Sequence, residues 1–122
     1  MNVTLTNMAS KAFAVVVGVG PGTGAAIATR FASAYPVACL ARNPDNYEPV
    51  VQDIKKNGGQ AIGISADISQ EDSVKAAFEK IKQEYAGMGC AAAIFNASGR
   101  PRKQPLLDMS VDDFTSMWNI GW

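Results

Sequence analysis

The chain contains no histidine in its 122 residues. That excludes histidine-based catalytic triads and zinc sites that need imidazole. Cysteine is scarce, with only Cys39 and Cys90. Both sit among apolar neighbours and read as reduced core thiols, so a cytoplasmic location is the expectation. Neither sign of charge is in excess: 11 basic and 11 acidic residues give a formal net charge of zero. The electrostatic footprint of a nucleic-acid binder is therefore missing. No apolar run is long enough to cross a membrane. Residues 1–11 are polar and mixed, a loose lead-in without the hydrophobic core of a secretory signal. Neither nucleic acid nor membrane is an expected partner, and no metal site is expected.

What is present is a soluble globular composition, 48% hydrophobic. The length suits one domain, 1–122. Folding at this size buries roughly two-thirds of the unfolded surface, enough for one modest core. The chain is organised around the stretch Val15 to Ala28. Three β-branched residues, Val15, Val16 and Val17, run into a cluster of glycines. A small-residue amphipathic pattern follows, with Ile27, Ala28, Phe31 and Ala32 on one face. That order reads as buried strand, tight turn, helix. Such a turn presents backbone N–H groups and the positive end of a helix dipole, which suits a pyrophosphate. Gly18 lets the chain leave the strand sharply. Gly22 removes a Cβ that would block a phosphate, and Gly24 lets the helix pack close to the sheet.

The remaining elements follow in order. The first strand is Ala12 to Val17, and the first helix runs from Gly22 to about Ala34, ended by Tyr35-Pro36. Val37 to Ala41 is a second strand, and 42–46 a turn. Tyr47, Val50, Val51 and Ile54 recur at helical spacing, so a second helix runs to about Asn57, with Gly58-Gly59 as its stop. Gln60 to Ser65 is a third strand and Ala66-Asp67-Ile68 a loop. Ser69 is the expected N-cap of a third helix, whose buried stripe is Val74, Ala77, Phe78, Ile81 and Tyr85. Ala91 to Phe95 is a fourth strand, and 96–108 a long loop with a basic segment, Arg100-Pro101-Arg102-Lys103. Ser110 caps a last helix carrying Phe114, Met117 and Trp118. Alternating strands and helices imply right-handed crossovers and a parallel sheet. The fold class is α/β, a Rossmann-like doubly wound sheet with strand order 3-2-1-4. Gly18 to Gly24, Arg42, Asp67 and Asn96 each follow a predicted strand, so they fall along one rim.

These residues carry a family resemblance over 12–122. The chain resembles the N-terminal half of a short-chain dehydrogenase/reductase. The family's glycine turn, Thr-Gly-x-x-x-Gly-x-Gly, matches Val17 to Gly24, with Val17 in place of threonine. Its acidic residue after the third strand matches Asp67. Its Asn-Asn-Ala-Gly motif matches Phe95 to Ser98, keeping only Asn96 and Ala97. The resemblance implies a dinucleotide site of Gly18, Gly20, Gly22, Thr23 and Gly24 at the pyrophosphate, Asp67 with Ile68 at adenine, and Asn96 with Ala97 near the ribose. Enzymes preferring NAD place an acid at the end of the second strand. Here Ala41 stands there, followed by Arg42, whose guanidinium can fork onto a 2′-phosphate. NADP(H) is the expected cofactor, with NAD(H) the alternative.

The departures from the family also carry meaning. The family's active-site asparagine position falls on Gly121, and Asn119 lies two residues earlier. The serine, tyrosine and lysine that move protons in the family lie beyond Trp122, so no catalytic residue is assigned. Tyr35, Tyr47 and Tyr85 fall at a helix end and on two outer helices. The fourth strand is expected at a sheet edge, and the last helix is expected to expose Met117, Trp118 and Trp122. Self-association through either element follows as an expectation. Two readings stand: an oxidoreductase by ancestry that binds NADP(H), and a non-catalytic nucleotide-binding or assembly module. A third is a shortened product that hardly binds cofactor.

Overall fold

The computed structural model describes residues 11–99 and 103–121. The lead-in 1–10, the basic positions 100–102 and Trp122 lie outside the described residues. Four strands form one parallel sheet: β1 Ala12–Val17, β2 Val37–Ala41, β3 Ala61–Ser65 and β4 Gly89–Phe95. Their order is β3-β2-β1-β4, as the sequence pattern predicts. β1 pairs with β2 from Ala14↔Val37 to Val17↔Leu40, and with β4 up to Val17↔Phe95. The four C-terminal strand ends are thereby level with one another.

Helices cover both faces, which is why β1 and β2 are near-continuous apolar runs rather than alternating ones. On one face, Ala14, Val16, Val37 and Cys39 pack with α1 (Thr23–Ala32) and α2 (Pro44–Lys56) through Ala28, Val50, Val51 and Ile54. On the other face, Phe13, Val15, Ala38 and Leu40 pack under α3 (Glu71–Glu84) through Ala77 and Ile81. The period of two along each strand sends successive side chains to opposite cores.

Several elements differ from the sequence reading. α1 stops at Ala32, two residues short of the expected end. α2 begins at Pro44, not Tyr47: Asn43 caps it by accepting from the Asp45 N–H at 3.0 Å, and proline suits the first helical position. α3 begins at Glu71, and Ser69 is not its cap. Its stripe buries Ala77, Ile81 and Tyr85, while Phe78 is partly exposed. β4 starts two residues earlier than expected, at Gly89, whose N–H donates to the Lys11 carbonyl at 2.9 Å. Cys39 is buried, and burial pushes its thiol up to about 12. Cys90 is exposed, not a core thiol, because β4 is an edge strand of this sheet.

Tyr47 and Tyr85, on the two helices where the sequence places them, turn inward and are buried. The Tyr85 ring stacks on Phe13, and its hydroxyl donates to the Val37 carbonyl at 3.2 Å. Burial, followed by the neighbouring Cys39 and Glu84, raises its pKa well above the usual phenol range. The Tyr47 ring lies where a Cβ on Gly63 would sit, and its hydroxyl shares a hydrogen bond with Ser65. After a 3₁₀ turn at Leu106–Asp108 comes α4, Val111–Gly121. Ser110 caps α4 as expected. Its Oγ accepts from the Asp113 N–H at 3.0 Å, and Asp113 Oδ2 accepts from the Ser110 N–H at 3.3 Å.

Candidate functional site

The parallel arrangement brings the C-terminal ends of all four strands to one rim. A cleft of about 820 Å³ opens there. Seven of the expected residues line it: Gly18, Gly20, Arg42, Asp67, Ile68, Asn96 and Ala97. Gly22, Thr23 and Gly24 do not line it; they form the N-terminus of α1 beside it.

The turn after β1 is held by its neighbours on both sides. Gly18 has φ +95°, a left-handed conformation that favours glycine. Its N–H donates to the Leu40 carbonyl at 2.8 Å, and the Val19 N–H shares that acceptor at 2.9 Å. From the other side, Asn96 Nδ2 donates to the Gly18 carbonyl at 3.2 Å. A Cβ on Gly18 would strike the Ala97 backbone and come within 2.8 Å of the Asn96 carbonyl carbon. Gly24 is equally constrained: a Cβ would strike the Gly18 carbonyl oxygen and come within 2.8 Å of Val19 Cα. Its close approach is therefore helix to turn, where the sequence reading put helix to sheet. Gly20 and Gly22 are different, because a Cβ on either would point into open space. No side chain among the described residues caps α1 at Gly22, and its first turn holds no acid. The first-turn N–H groups and the positive helix end thus face an open cradle fit for an anion.

Beyond β2 and β3, opposite charges flank the cleft. Arg42 is exposed, follows Ala41 directly, and makes no ion pair among the described residues. The adjacent strand ends are tied by the Ala66 N–H donating to the Ala41 carbonyl at 2.9 Å. Asp67 comes next. Its Oδ1 accepts the Ser69 hydroxyl at 2.6 Å and the Ser69 N–H at 3.0 Å. Those two bonds hold its carboxyl below the ordinary value of 3.8. Slight burial opposes them, and the Arg42 charge adds a smaller lowering. The carboxylate is ionised at neutral pH and can accept hydrogen bonds.

The sequence reading missed part of the lining. Ser98 and Gly99 extend it past Ala97, and Ser116 and Met117 of α4 close one side. Once Ser110 is recognised as a cap, its spacing to Asp113, Ser116 and Met117 places these three on one helix face, a signal that was available. Asn43 and Asn46 also line the cleft beside Arg42. Among the described residues, no histidine, cysteine and carboxylate group could hold a metal ion, and no helix is long and apolar enough to cross a membrane.

A parallel sheet of order 3-2-1-4 with a glycine turn between β1 and α1 defines a Rossmann-like unit. The family model described as short chain dehydrogenase matches residues 12–121, and the chain belongs to that family. It is 34% identical over 108 residues to a short chain dehydrogenase of Pseudocercospora fijiensis, covering 88% of this chain and 34% of the relative. It is 36% identical over 110 residues to elsinochrome reductase 1 of Elsinoe fawcettii, covering 88% and 40%. A 3-ketoacyl-ACP reductase from Sinorhizobium meliloti 1021 superposes with a TM-score of 0.80 at 26% identity, covering 88% of this chain and 42% of that one. The chain therefore spans well under half the length of these relatives.

Proposed function

We propose that the chain is the NADP(H)-binding part of a short-chain reductase. The observation that carries this reading is the pairing at the end of β2: Ala41, which bears no charge, then an exposed Arg42 without an ion pair among the described residues. An acid at that place would repel a 2′-phosphate, and a guanidinium fork binds one. The open cradle at Gly20 and Gly22 would take the pyrophosphate on backbone N–H groups. Asp67 would accept from the adenine amine, with Ile68 beside it. Asn96 and Ala97 would face the ribose next to the nicotinamide. Asn96 also fixes the turn by its bond to Gly18.

When bound, the nicotinamide supplies or takes a hydride. The partner proton needs an acid or base, an effect typically worth ~10²–10⁴-fold. No tyrosine lines the cleft among the described residues. Tyr47 and Tyr85 are buried elsewhere. In this reading the proton-carrying groups are not in this chain, which alone holds cofactor without completing the reaction. The same observation supports the second reading, a nucleotide-binding module without catalysis. A cytoplasmic location and self-association through β4 or α4 complete the proposal.

Calorimetric titration of the chain with NADPH and then NADH tests it. The expected result is micromolar NADPH binding, weaker binding of NADH, and loss of that preference in Arg42→Ala. A folded chain that binds neither dinucleotide would overturn the cofactor site. Equal binding of both would overturn the role of Arg42.

A further inference from the structure

Ser69 stands one residue too early to cap α3, whose N-cap is Gln70 with no side-chain cap bond among the described residues. A serine cap is typically worth ~1 kcal/mol to a helix. Here the serine hydroxyl goes instead to Asp67 Oδ1 at 2.6 Å, and the Ser69 N–H joins it on the same oxygen at 3.0 Å. The Asp67 backbone is fixed as well. Its N–H donates to Ser73 Oγ at 2.9 Å, and its carbonyl accepts from the Gln70 N–H at 3.0 Å. Ser73 is half-buried in the first turn of α3. The helix start is thus built around Asp67, and one carboxylate oxygen is committed to Ser69. Asp67 lines the cleft, and its Oδ2 makes no hydrogen bond among the described residues.

We propose that Ser69 is a positioning residue that locks the Asp67 carboxylate and so sets the site's selectivity for an adenine dinucleotide over one carrying a carbonyl in place of the adenine amine. This rests on the NADP(H) reading above and extends it to the base. A locked carboxylate offers one fixed acceptor, which suits an amine and repels a carbonyl oxygen. A carboxylate free to rotate reaches the ring N–H next to that carbonyl, so it tolerates both bases. Locking it before binding also removes the cost of ordering the side chain when cofactor arrives.

The probes are NADPH and its hypoxanthine analogue, titrated by nicotinamide fluorescence into the chain and into Ser69→Ala and Ser69→Thr. The unaltered chain is expected to prefer NADPH by about tenfold, the scale of one hydrogen bond to a charged group. Ser69→Ala is expected to lose most of that preference, and Ser69→Thr, which keeps the hydroxyl, to retain it. Equal weakening of both dinucleotides in Ser69→Ala, or an unchanged preference, would overturn the proposal while leaving the cofactor site intact. Absence of NADPH binding to the unaltered chain would overturn the underlying reading as well. A second measurement needs no cofactor: NMR titration of the Asp67 carboxyl carbon. Its midpoint should rise towards the ordinary value in Ser69→Ala, and a midpoint that does not move would show that Ser69 does not hold the carboxylate.

Discussion

Among single residues, the glycines of the first turn separate into two kinds. Gly24 is closed in by the Gly18 carbonyl and Val19 Cα, whereas Gly22 faces open space. Gly24→Ala should therefore destabilise the fold by about 1–3 kcal/mol, the usual cost of overpacking. In thermal denaturation that is a drop of several degrees. Gly22→Ala should leave the midpoint nearly unchanged and weaken NADPH binding instead. If both variants melt alike, the distinction between packing glycine and cradle glycine is wrong. Asp67 gives a second check. Its folded pKa is depressed, so its contribution is present above the ordinary value of 3.8 and is lost as pH falls through the lower folded value. A carboxyl midpoint at or above 3.8 in the folded chain would contradict the Ser69 contacts. The sequence located Asp67, because an acid directly after a strand is visible in one dimension. The use of Ser69 was not visible: an N-cap and a carboxylate clamp need the same residue type near the same place, and only the chain direction over 67–70 separates them.

Helix starts show what pattern reading captures and what it loses. Ser110 and Asp113 are three apart and bond reciprocally, so that cap was legible in the spacing. Ser110→Ala should cost about 1 kcal/mol. Hydrogen exchange should then quicken in the first turns of α4 while the β1 and β2 amides keep their protection. Unchanged exchange in α4 would mean that the cap contributes nothing there. The start of α2 is hard to place from sequence because Asn43-Pro44 also reads as a turn. Asn43-Pro44 is instead a cap followed by a first helical residue, and the apolar period becomes visible only at Tyr47. Strand positions were read well for β1 and β2, whose apolar runs admit few alternatives. Apolar neighbours suggest a buried Cys90, yet the thiol is exposed on a strand that the sequence already places at an edge. Burial of β4 depends on what lies beside it, which local sequence does not encode.

Over the whole molecule, the order β3-β2-β1-β4 was legible because alternating elements and right-handed crossovers leave few topologies. That order alone places four polar signals on one rim. Exposure is the harder property to read. Phe95 at the end of β4 is 64% exposed, Trp118 on α4 is 57% exposed, and Leu107 before it is 97% exposed. An edge strand beside exposed apolar side chains favours association. Sedimentation velocity at micromolar concentration should show a species larger than one chain, and a clean monomer would count against self-association. The central claim is that the four strand ends form one dinucleotide site, and a residue-resolved amide spectrum recorded during NADPH titration tests it most directly. Saturable shifts should gather at Gly18 to Gly24, Arg42, Asp67 with Ile68, and Asn96 with Ala97, sparing the exposed face of α3 around Lys75 and Lys82. Shifts confined to that face, or none in a folded chain, would contradict it.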